Sequence, residues 1–324
     1  MIERRPLGRT GLEVTRLGLG LAALGRPGYI DVGRAEDLGE ERTVEAMRER
    51  AFATLDAAYA LGIRSVDVAR SYGRAEEFAA AWLDGRGHAD VIVSSKWGYT
   101  YVGDWRVDAD VHEVKDHSLA ALRRQLGESR AILADRLRLY QIHSATFESG
   151  VLENEAVLRE LAGLREAGLA IGLSVSGPRQ GDVVRRALEV EVDGANPFDS
   201  VQATWNVLEP SVGPALAEAH EAGWGVLAKE AMANGRLGPR GDAAAELGGV
   251  AERHDVTVDG VAIAAVLAQP WADVVLSGAV APEQLRSNVA GVDMPLDEAD
   301  RALLDGLAEG PDAYWAHRAT LPWS

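Results

Sequence analysis

The amino-acid sequence predicts one (β/α)8 barrel of the TIM type, an α/β fold in which eight parallel strands alternate with eight helices. Short runs rich in β-branched residues alternate with longer Ala-, Leu-, Glu- and Arg-rich stretches of helical period, as repeated βα units do. Eight such units can be counted, which favours a closed barrel over an open sheet. The 324 residues fit one such barrel. Residues 1–324 are therefore assigned to a single domain.

The predicted elements follow in order along the chain. Strands are predicted at 15–21, 64–69, 90–96, 137–142, 170–175, 200–203, 224–228 and 273–277. Helices are predicted at 41–61, 75–83, 111–126, 152–167, 179–190, 214–222, 258–268 and 282–289. Two segments break the alternation, one at 238–254 and one, an extra helix and loop, from 296 to the C-terminus. The tail after Gly310 is aromatic without a helical period, so it either covers a pocket mouth or only anchors the terminus.

Composition and charge exclude several classes of partner and site. The formal net charge of -17 opposes binding to nucleic acid and to anionic membranes. The absence of cysteine excludes disulfides, thiolate nucleophiles and Cys-based metal sites. The N-terminus lacks a signal-peptide pattern, and no apolar run reaches the ~18 residues of a membrane-spanning helix. We therefore expect a cytoplasmic protein, and the sequence does not indicate its oligomeric state.

Two other enzyme patterns fit the sequence less well. Residues 18–25, GLGLAALG, nearly match a dinucleotide-binding fingerprint, but Pro27 soon interrupts the helix that a Rossmann fold needs there. A metallohydrolase would need clustered histidines, and HEVKDH places Asp116, not a second histidine, four residues after His112. We therefore predict no metal site, with His112 and His117 at the surface.

Four ionisable residues are predicted to meet at one end of the barrel: Asp67, Tyr72, Lys96 and His143. They lie at or just after strand ends, where such barrels carry their functional residues. Taken singly, each has a structural explanation, such as a helix cap or a core histidine. Together they suit proton donation, because an ammonium at Lys96 would lower the Tyr72 pKa from its usual value of about 10. Asp67 would keep that ammonium charged, and His143 would either donate a hydrogen bond to a carbonyl oxygen or share the proton of the phenol.

The sequence resembles the aldo-keto reductase superfamily over nearly its whole length. RRPLGRTGLEVTRLGLG is similar to the N-terminal β-hairpin and first strand of that superfamily, and DVARSYG, SSKWGY and YQIH resemble its catalytic segments in order and spacing. The resemblance implies that the four ionisable residues are the catalytic tetrad. A hydride would pass from a nicotinamide to an aldehyde or ketone, and Tyr72 would protonate the oxygen. The alternative is a non-catalytic redox sensor or partner-binding protein of the same fold, as among potassium-channel β subunits.

The resemblance also implies a dinucleotide site. Its candidate residues are Ser174 and Gln202 for the carboxamide, Lys229 and Arg236 after the seventh strand, and Ser277, Gly278, Gln284 and Asn288 around the adenosine half. Lys229 stands where many members stack a tyrosine on the nicotinamide, so it either approaches the pyrophosphate or caps the strand. Ala281 and Gln284 occupy the usual places of the arginine that pairs with the 2′-phosphate, and Arg286 or Arg236 are its substitutes. NADPH is expected, with NADH as the alternative.

Aromatic residues are predicted to line the mouth of the substrate pocket: Trp97, Tyr99, Trp105 and Trp205. Such a wall favours flat or hydrophobic carbonyl compounds, whereas the structural alternative is that these rings pack between loops. His317 and Arg318 would reach a polar substrate group if the tail folds over the barrel. The expected partner is a small carbonyl compound that no motif identifies further.

Overall fold

The computed structural model describes residues 2–324. Its β-strands are β1 (Arg4–Pro6), β2 (Glu13–Thr15), β3 (Leu17–Gly20), β4 (Ser65–Asp67), β5 (Ile92–Trp97), β6 (Tyr99–Tyr101), β7 (Glu113–Lys115), β8 (Leu137–Ala145), β9 (Ala170–Val175), β10 (Ser200–Thr204), β11 (Gly225–Lys229) and β12 (Val274–Ser277). Its α-helices are α1 (Arg34–Leu38), α2 (Val44–Ala60), α3 (Ala75–Arg86), α4 (Leu119–Leu133), α5 (Glu155–Glu166), α6 (Gln180–Leu188), α7 (Gly213–Glu221), α8 (Ala244–His254), α9 (Val258–Leu267), α10 (Pro282–Ala290), α11 (Glu298–Asp305) and α12 (Pro311–Thr320).

Eight parallel strands close into a barrel in the order β3-β4-β5-β8-β9-β10-β11-β12, with β12 pairing back onto β3. Each predicted strand overlaps one barrel strand, so the predicted (β/α)8 fold is confirmed. The strands are buried on both faces, as in β9, where all six residues are buried, because the helices cover the outside of the barrel. The parallel arrangement brings all eight carboxyl ends to the same rim.

The predicted N-terminal hairpin is also present, formed by the antiparallel strands β1 and β2. Leu7, Leu12 and Val14 pack against the barrel residues Leu139 and Leu227 in a separate apolar cluster. This cluster closes the amino-terminal end of the barrel, so the opposite rim is the end left for a site.

Two predicted elements differ from the structure. The predicted helix at 111–126 begins only at Leu119, where Ser118 caps it by accepting a hydrogen bond from the Ala121 N–H. The residues before it form β7, which pairs with β6 in a hairpin over the barrel rim. The tail after Gly310, which lacks a helical period, forms α12. Only Tyr314 of α12 is buried, which explains why no apolar periodicity reveals the helix.

The two segments that break the alternation pack together beside the barrel. The first contains α8, and the second contains α11 and α12. Leu247 of α8, Leu304 of α11 and Tyr314 of α12 share one apolar cluster with α9. Helix α9 is buried nearly all round for this reason. Throughout residues 2–324, no helix combines the length and apolarity needed to cross a bilayer.

Candidate active site

A cavity of about 570 Å³ opens at the carboxyl ends of the barrel strands. Of the residues singled out in the sequence, it is lined by Asp67, Tyr72, Tyr99, His143, Ser174, Gln202, Lys229, Ser277, Gly278, Gln284, Asn288 and Arg318. These residues come from the ends of most barrel strands and from α10 and α12. Parallel closure of the barrel therefore brings distant parts of the chain to one cavity.

The proton-donor candidate and the histidine face each other across the floor of this cavity. The Tyr72 Oη lies 3.5 Å from His143 Nε2, and the two rings are nearly perpendicular. Ser71 Oγ lies 3.3 Å from the other ring nitrogen of His143. A register shift between Ile142 and Ala145, with Ser144 at a φ of 51°, turns the end of β8 and aims His143 inward.

A buried ion pair lies behind Tyr72. Lys96 Nζ pairs with Asp67, donates to the Val68 carbonyl at 3.1 Å and lies 4.8 Å from the centre of the Tyr72 ring. Lys96 is fully buried and does not line the cavity itself. The structure thus brings all four predicted residues together. The phenol of Tyr72 and the imidazole of His143 face the cavity, and the ion pair of Lys96 and Asp67 lies on the side of Tyr72 toward the barrel interior.

Three neutral side chains also donate to Asp67. Ser94 Oγ donates to its carboxylate at 2.7 Å, Gln202 Nε2 at 3.1 Å and Gln141 Nε2 at 3.4 Å. These bonds fix the carboxylate from the strands on either side of the barrel. The bond from Gln202 also ties this candidate carboxamide ligand to Asp67.

Burial is the main influence on the pKa values of Tyr72 and His143. It raises the pKa of Tyr72 well above its usual value, and Asp67 raises it further, whereas Arg26 opposes the shift. Burial lowers the pKa of His143 well below its usual value, with Lys96 adding to the effect. The lowered Tyr72 pKa expected from the sequence is therefore wrong for the free protein, because burial dominates and Lys96 is paired with Asp67. At neutral pH the site holds a protonated phenol and a neutral imidazole.

His112 and His117 are buried, and the prediction that they lie at the surface is wrong. His117 Nε2 donates to the His143 carbonyl at 2.9 Å, so it supports the active-site strand end. Burial lowers the pKa of His117 to about 4. His112 stacks on Trp323 with ring centres 4.0 Å apart. Residues 2–324 contain no cluster of three or more His, Asp or Glu side chains that could hold a metal ion.

Lys229 and Arg318 share the buried carboxylate of Glu230 at the wall of the cavity. Lys229 Nζ donates to Thr204 Oγ1 at 2.6 Å and lies 3.8 Å from Glu230, while Arg318 makes a two-pronged contact with Glu230 at 2.6 and 3.0 Å. Burial lowers the pKa of Lys229 to about 8, and Arg318 is the main cause that holds the pKa of Glu230 near 2 against burial. The tail therefore reaches the cavity through Arg318, although His317 does not line it.

The candidate adenosine residues gather at the end of the cavity near α10. Ser277 Oγ donates to Asn288 Oδ1 at 2.6 Å, and Asn288 Nδ2 donates to Asp259 at 2.9 Å. Gln284 Nε2 donates to Asp37 at 2.7 Å. Asp37, from α1, is a residue that sequence reasoning missed, because nothing in the α1 segment marks it.

Five of the predicted site residues do not line the cavity, namely Lys96, described above, and the four that follow. Trp97 is fully buried, Trp105 packs on Phe78 and donates to the Arg42 carbonyl, and Trp205 packs against Trp271 in the core. Arg236 is held by Asp242 and Glu309. Trp97, Trp105 and Trp205 thus follow the structural alternative of rings packed between elements. Tyr99, Tyr29, Trp315 and Trp323 supply the aromatic surface instead.

The comparisons with known proteins agree with this geometry. The aldo/keto reductase family model matches residues 16–309. The chain is 26% identical over 338 residues to aldo-keto reductase str7 of Strobilurus tenacellus, covering 95% of this chain and 92% of that protein. It is 24% identical to the NADH-specific methylglyoxal reductase of Escherichia coli (strain K12), covering 95% and 99%. Its fold matches aldo-keto reductase AKR11C1 from Bacillus halodurans (holo form) with a TM-score of 0.73 at 22% identity, covering 96% and 97%. This chain belongs to the aldo/keto reductase family, whose members are NAD(P)H-dependent oxidoreductases of carbonyl compounds.

Proposed function

We propose that this protein reduces the carbonyl group of a small aldehyde or ketone, with Tyr72 as the proton donor. The observation that carries the proposal is the pair of Tyr72 Oη and His143 Nε2, 3.5 Å apart on the floor of one cavity. A carbonyl oxygen placed between them would accept a hydrogen bond from each. The buried ion pair of Lys96 and Asp67 lies beside the phenol, where the ammonium would stabilise the phenolate left by proton transfer.

The protonation states suit reduction. His143 is neutral, and Ser71 Oγ, 3.3 Å from Nδ1, can donate to that nitrogen, which leaves the Nε2 proton for a substrate oxygen. The raised pKa of Tyr72 keeps the phenol protonated until the substrate oxygen gains negative charge. The proton then passes from Tyr72 to that oxygen, and the ammonium of Lys96, 4.8 Å from the ring, stabilises the phenolate.

The residues of the cavity fit a nicotinamide dinucleotide, which supplies the hydride when bound. Ser174 and Gln202 lie beside the tetrad, where they would hold the carboxamide. At the other end Asp259 lines the cavity, and its Oδ1 is buried without a partner among residues 2–324. An unpaired buried acceptor is costly, and the amino group of adenine would satisfy it. The cavity volume also lies in the ordinary range of cofactor sites.

The charges near α10 favour NADH over the NADPH expected from the sequence. Arg236 and Arg286 are paired with acidic neighbours and do not line the cavity. Arg240 does line it, but it is paired with Asp37 at 2.5 Å. A 2′-phosphate would have to displace this contact and lie beside the carboxylate, whereas a ribose hydroxyl would donate to it. One relative, 24% identical, is named as NADH-specific, in agreement with this argument.

The test is turnover by wild-type protein and Tyr72→Phe with NADH and NADPH against a panel of aldehydes, ketones and quinones. We expect Tyr72→Phe to lower kcat/KM by about 10²–10⁴-fold, because the variant lacks the transferable proton. Cofactor binding, followed by nucleotide fluorescence, should change by less than about twofold. Activity within tenfold of wild type in the variant would refute the role of Tyr72. A wild-type protein that binds a cofactor but reduces no member of the panel would favour the non-catalytic alternative.

A further inference from the structure

Arg26 carries a buried charge beside Tyr72 that the proton transfer does not use. Its residue exposure is 2%, it lines the cavity, and its guanidinium carbon lies 5.2 Å from the centre of the Tyr72 ring. The residue comes from the segment after β3, between a glycine and a proline. The sequence gives no reason for an arginine at this position.

Most donors of this guanidinium are unpaired. Nη1 donates to Glu113 at 2.6 Å and to the Ser71 carbonyl at 3.2 Å. Nε is buried without a partner, and Nη2 donates to none of residues 2–324. An arginine has five donor hydrogens, and leaving buried donors unpaired is costly. Nη2, which is not among the fully buried atoms, is therefore the donor that a ligand oxygen in the cavity would meet.

Aromatic rings hold the guanidinium in place. Its carbon lies 5.0 Å from the centre of the Tyr29 ring and 4.9 Å from that of Trp323, in addition to its contact with Tyr72. Cation–π contacts of this kind fix the position of an arginine, but ring faces do not replace oxygen acceptors. The donors are thus positioned before any ligand arrives, which lowers the entropy cost of binding.

We propose that Arg26 binds a second oxygen of the substrate, next to the carbonyl that Tyr72 protonates. This inference rests on the proposed function and names its substrate class, carbonyl compounds with an oxygen on the adjacent carbon, such as 1,2-dicarbonyls and α-hydroxy carbonyls. The guanidinium carbon lies 5.2 Å from the centre of the Tyr72 ring, so a substrate whose carbonyl oxygen is held by Tyr72 and His143 would bring the neighbouring oxygen to Arg26 in one of its orientations. The contact gives such substrates one more hydrogen bond than simple aldehydes have.

Glu113 selects an uncharged second oxygen. Its carboxylate lies 2.6 Å from Arg26 Nη1 and also lines the cavity, so the charge of the guanidinium is already neutralised. A substrate carboxylate at Arg26 would lie beside this negative group, and like charges at such distances repel. A ketone or hydroxyl oxygen meets no such repulsion. The 2-oxo acids are therefore disfavoured relative to neutral dicarbonyls.

The experiment compares 2-hydroxyacetophenone with propiophenone, in which a methyl group replaces the hydroxyl on the carbon next to the carbonyl. We expect Arg26→Met to lower kcat/KM for 2-hydroxyacetophenone about tenfold more than for propiophenone, mainly through KM, because only the hydroxy ketone loses a bond to the guanidinium. Arg26→Lys keeps the charge and should recover part of that difference. Thermal unfolding confirms that each variant folds. An equal loss for both ketones would mean that Arg26 acts on Tyr72 or on the fold, and the inference would be wrong.

Glu113→Gln tests the selection against anions. This variant should raise kcat/KM for phenylglyoxylate relative to 2-hydroxyacetophenone by about fivefold or more, because the competing carboxylate is gone. If wild-type protein already prefers phenylglyoxylate, or if the ratio does not move, the role of Glu113 is refuted.

A binding measurement separates this inference from the reaction itself. Calorimetry with 1-phenylethane-1,2-diol and 2-phenylethanol needs no turnover. Wild-type protein should bind the diol more tightly, and Arg26→Met should lose that preference. A preference for the diol in a protein that reduces nothing would support Arg26 while the proposed function fails. No preference in an active enzyme would overturn the inference alone.

Discussion

Lys96 and Asp67 bury opposite charges directly behind the phenol of Tyr72. Burial lowers the pKa of Lys96, and Asp67 opposes that shift. Each charge is therefore tolerated because the other is present. Removal of one partner leaves a buried ion without compensation, which costs more than the net value of the pair.

Lys96→Met is expected to damage both stability and catalysis. The unpaired Asp67 keeps only neutral donors such as Ser94 and Gln202, so the free energy of unfolding should fall by about 3–5 kcal/mol. The phenolate of Tyr72 also loses its ammonium, so kcat/KM should fall by about 10² or more. Denaturant unfolding and steady-state kinetics measure the two effects.

The matched control is the double variant Lys96→Met with Asp67→Asn. It removes both charges, so it should recover most of the lost stability without recovering activity. A double variant no more stable than Lys96→Met would contradict the account of the buried pair. Full activity in either variant would contradict the role of Lys96 in stabilising the phenolate.

At the residue scale, the four site residues could be predicted because they lie at strand ends with motif neighbours. The sign of the Tyr72 pKa shift could not, because it depends on how burial compares with the charges of Asp67 and Arg26 in three dimensions. Arg26 itself was missed. It follows a short glycine-rich run that has no period, and only the folded chain brings Glu113 and Tyr72 to it.

At the element scale, three parts of the chain meet at Asp37. It lies on α1 and contacts Arg240, from the segment after β11, at 2.5 Å and Gln284, on α10, at 2.7 Å. This contact closes one end of the cavity. The carboxylate of Asp37 therefore repels an anionic group that lies between α1 and α10, and it accepts a hydrogen bond from a hydroxyl placed there.

Asp37→Ala is expected to shift the cofactor preference from NADH toward NADPH. The variant frees Arg240 and removes the repulsion, so the Kd for NADPH should fall about fivefold or more, while the Kd for NADH rises severalfold with the loss of a hydroxyl acceptor. Nucleotide fluorescence measures both constants. Glu36→Ala is the control: Glu36 is exposed like Asp37 and lies on the same helix, but it does not line the cavity, so the variant should change neither. Tighter binding of NADPH by wild-type protein, or an unchanged ratio in Asp37→Ala, would oppose this role.

The barrel elements could be predicted because their strands are apolar runs bounded by turn residues. The elements over the rim could not. Helix α12 buries only Tyr314 and is held by polar contacts, from Tyr314 to Asn206 and from Arg318 to Glu230. Strand β7 is a charged segment whose sequence is typical of the first turn of a helix. Its pairing with β6 gives it an extended conformation instead. Such contacts depend on partners far away in the sequence.

At the scale of the whole molecule, the barrel buries neutral histidines beneath a surface of net negative charge. His117 and His143 lie together at the end of β8 and are linked by the bond from His117 Nε2 to the His143 carbonyl. Burial favours the neutral form of both. Protonation of these histidines in acid therefore places charge in the packed interior at this end of the barrel, where it destabilises the fold.

Stability should fall as the pH drops from about 6.5 toward 4. The pKa of His117 is about 4 in the folded protein and 6.5 as its ordinary value, so the unfolded chain binds more protons in this interval. The contribution is fully present above pH 6.5 and is lost as the pH falls toward 4; for this histidine the loss between pH 7.5 and 4.5 amounts to about 2.5 kcal/mol. Denaturant unfolding at pH 7.5 and 4.5 should show His117→Gln losing about that much less stability than wild type. The exposed His220→Gln serves as the control and should lose as much as wild type. Equal losses in all three proteins would mean that His117 is not buried in its neutral form.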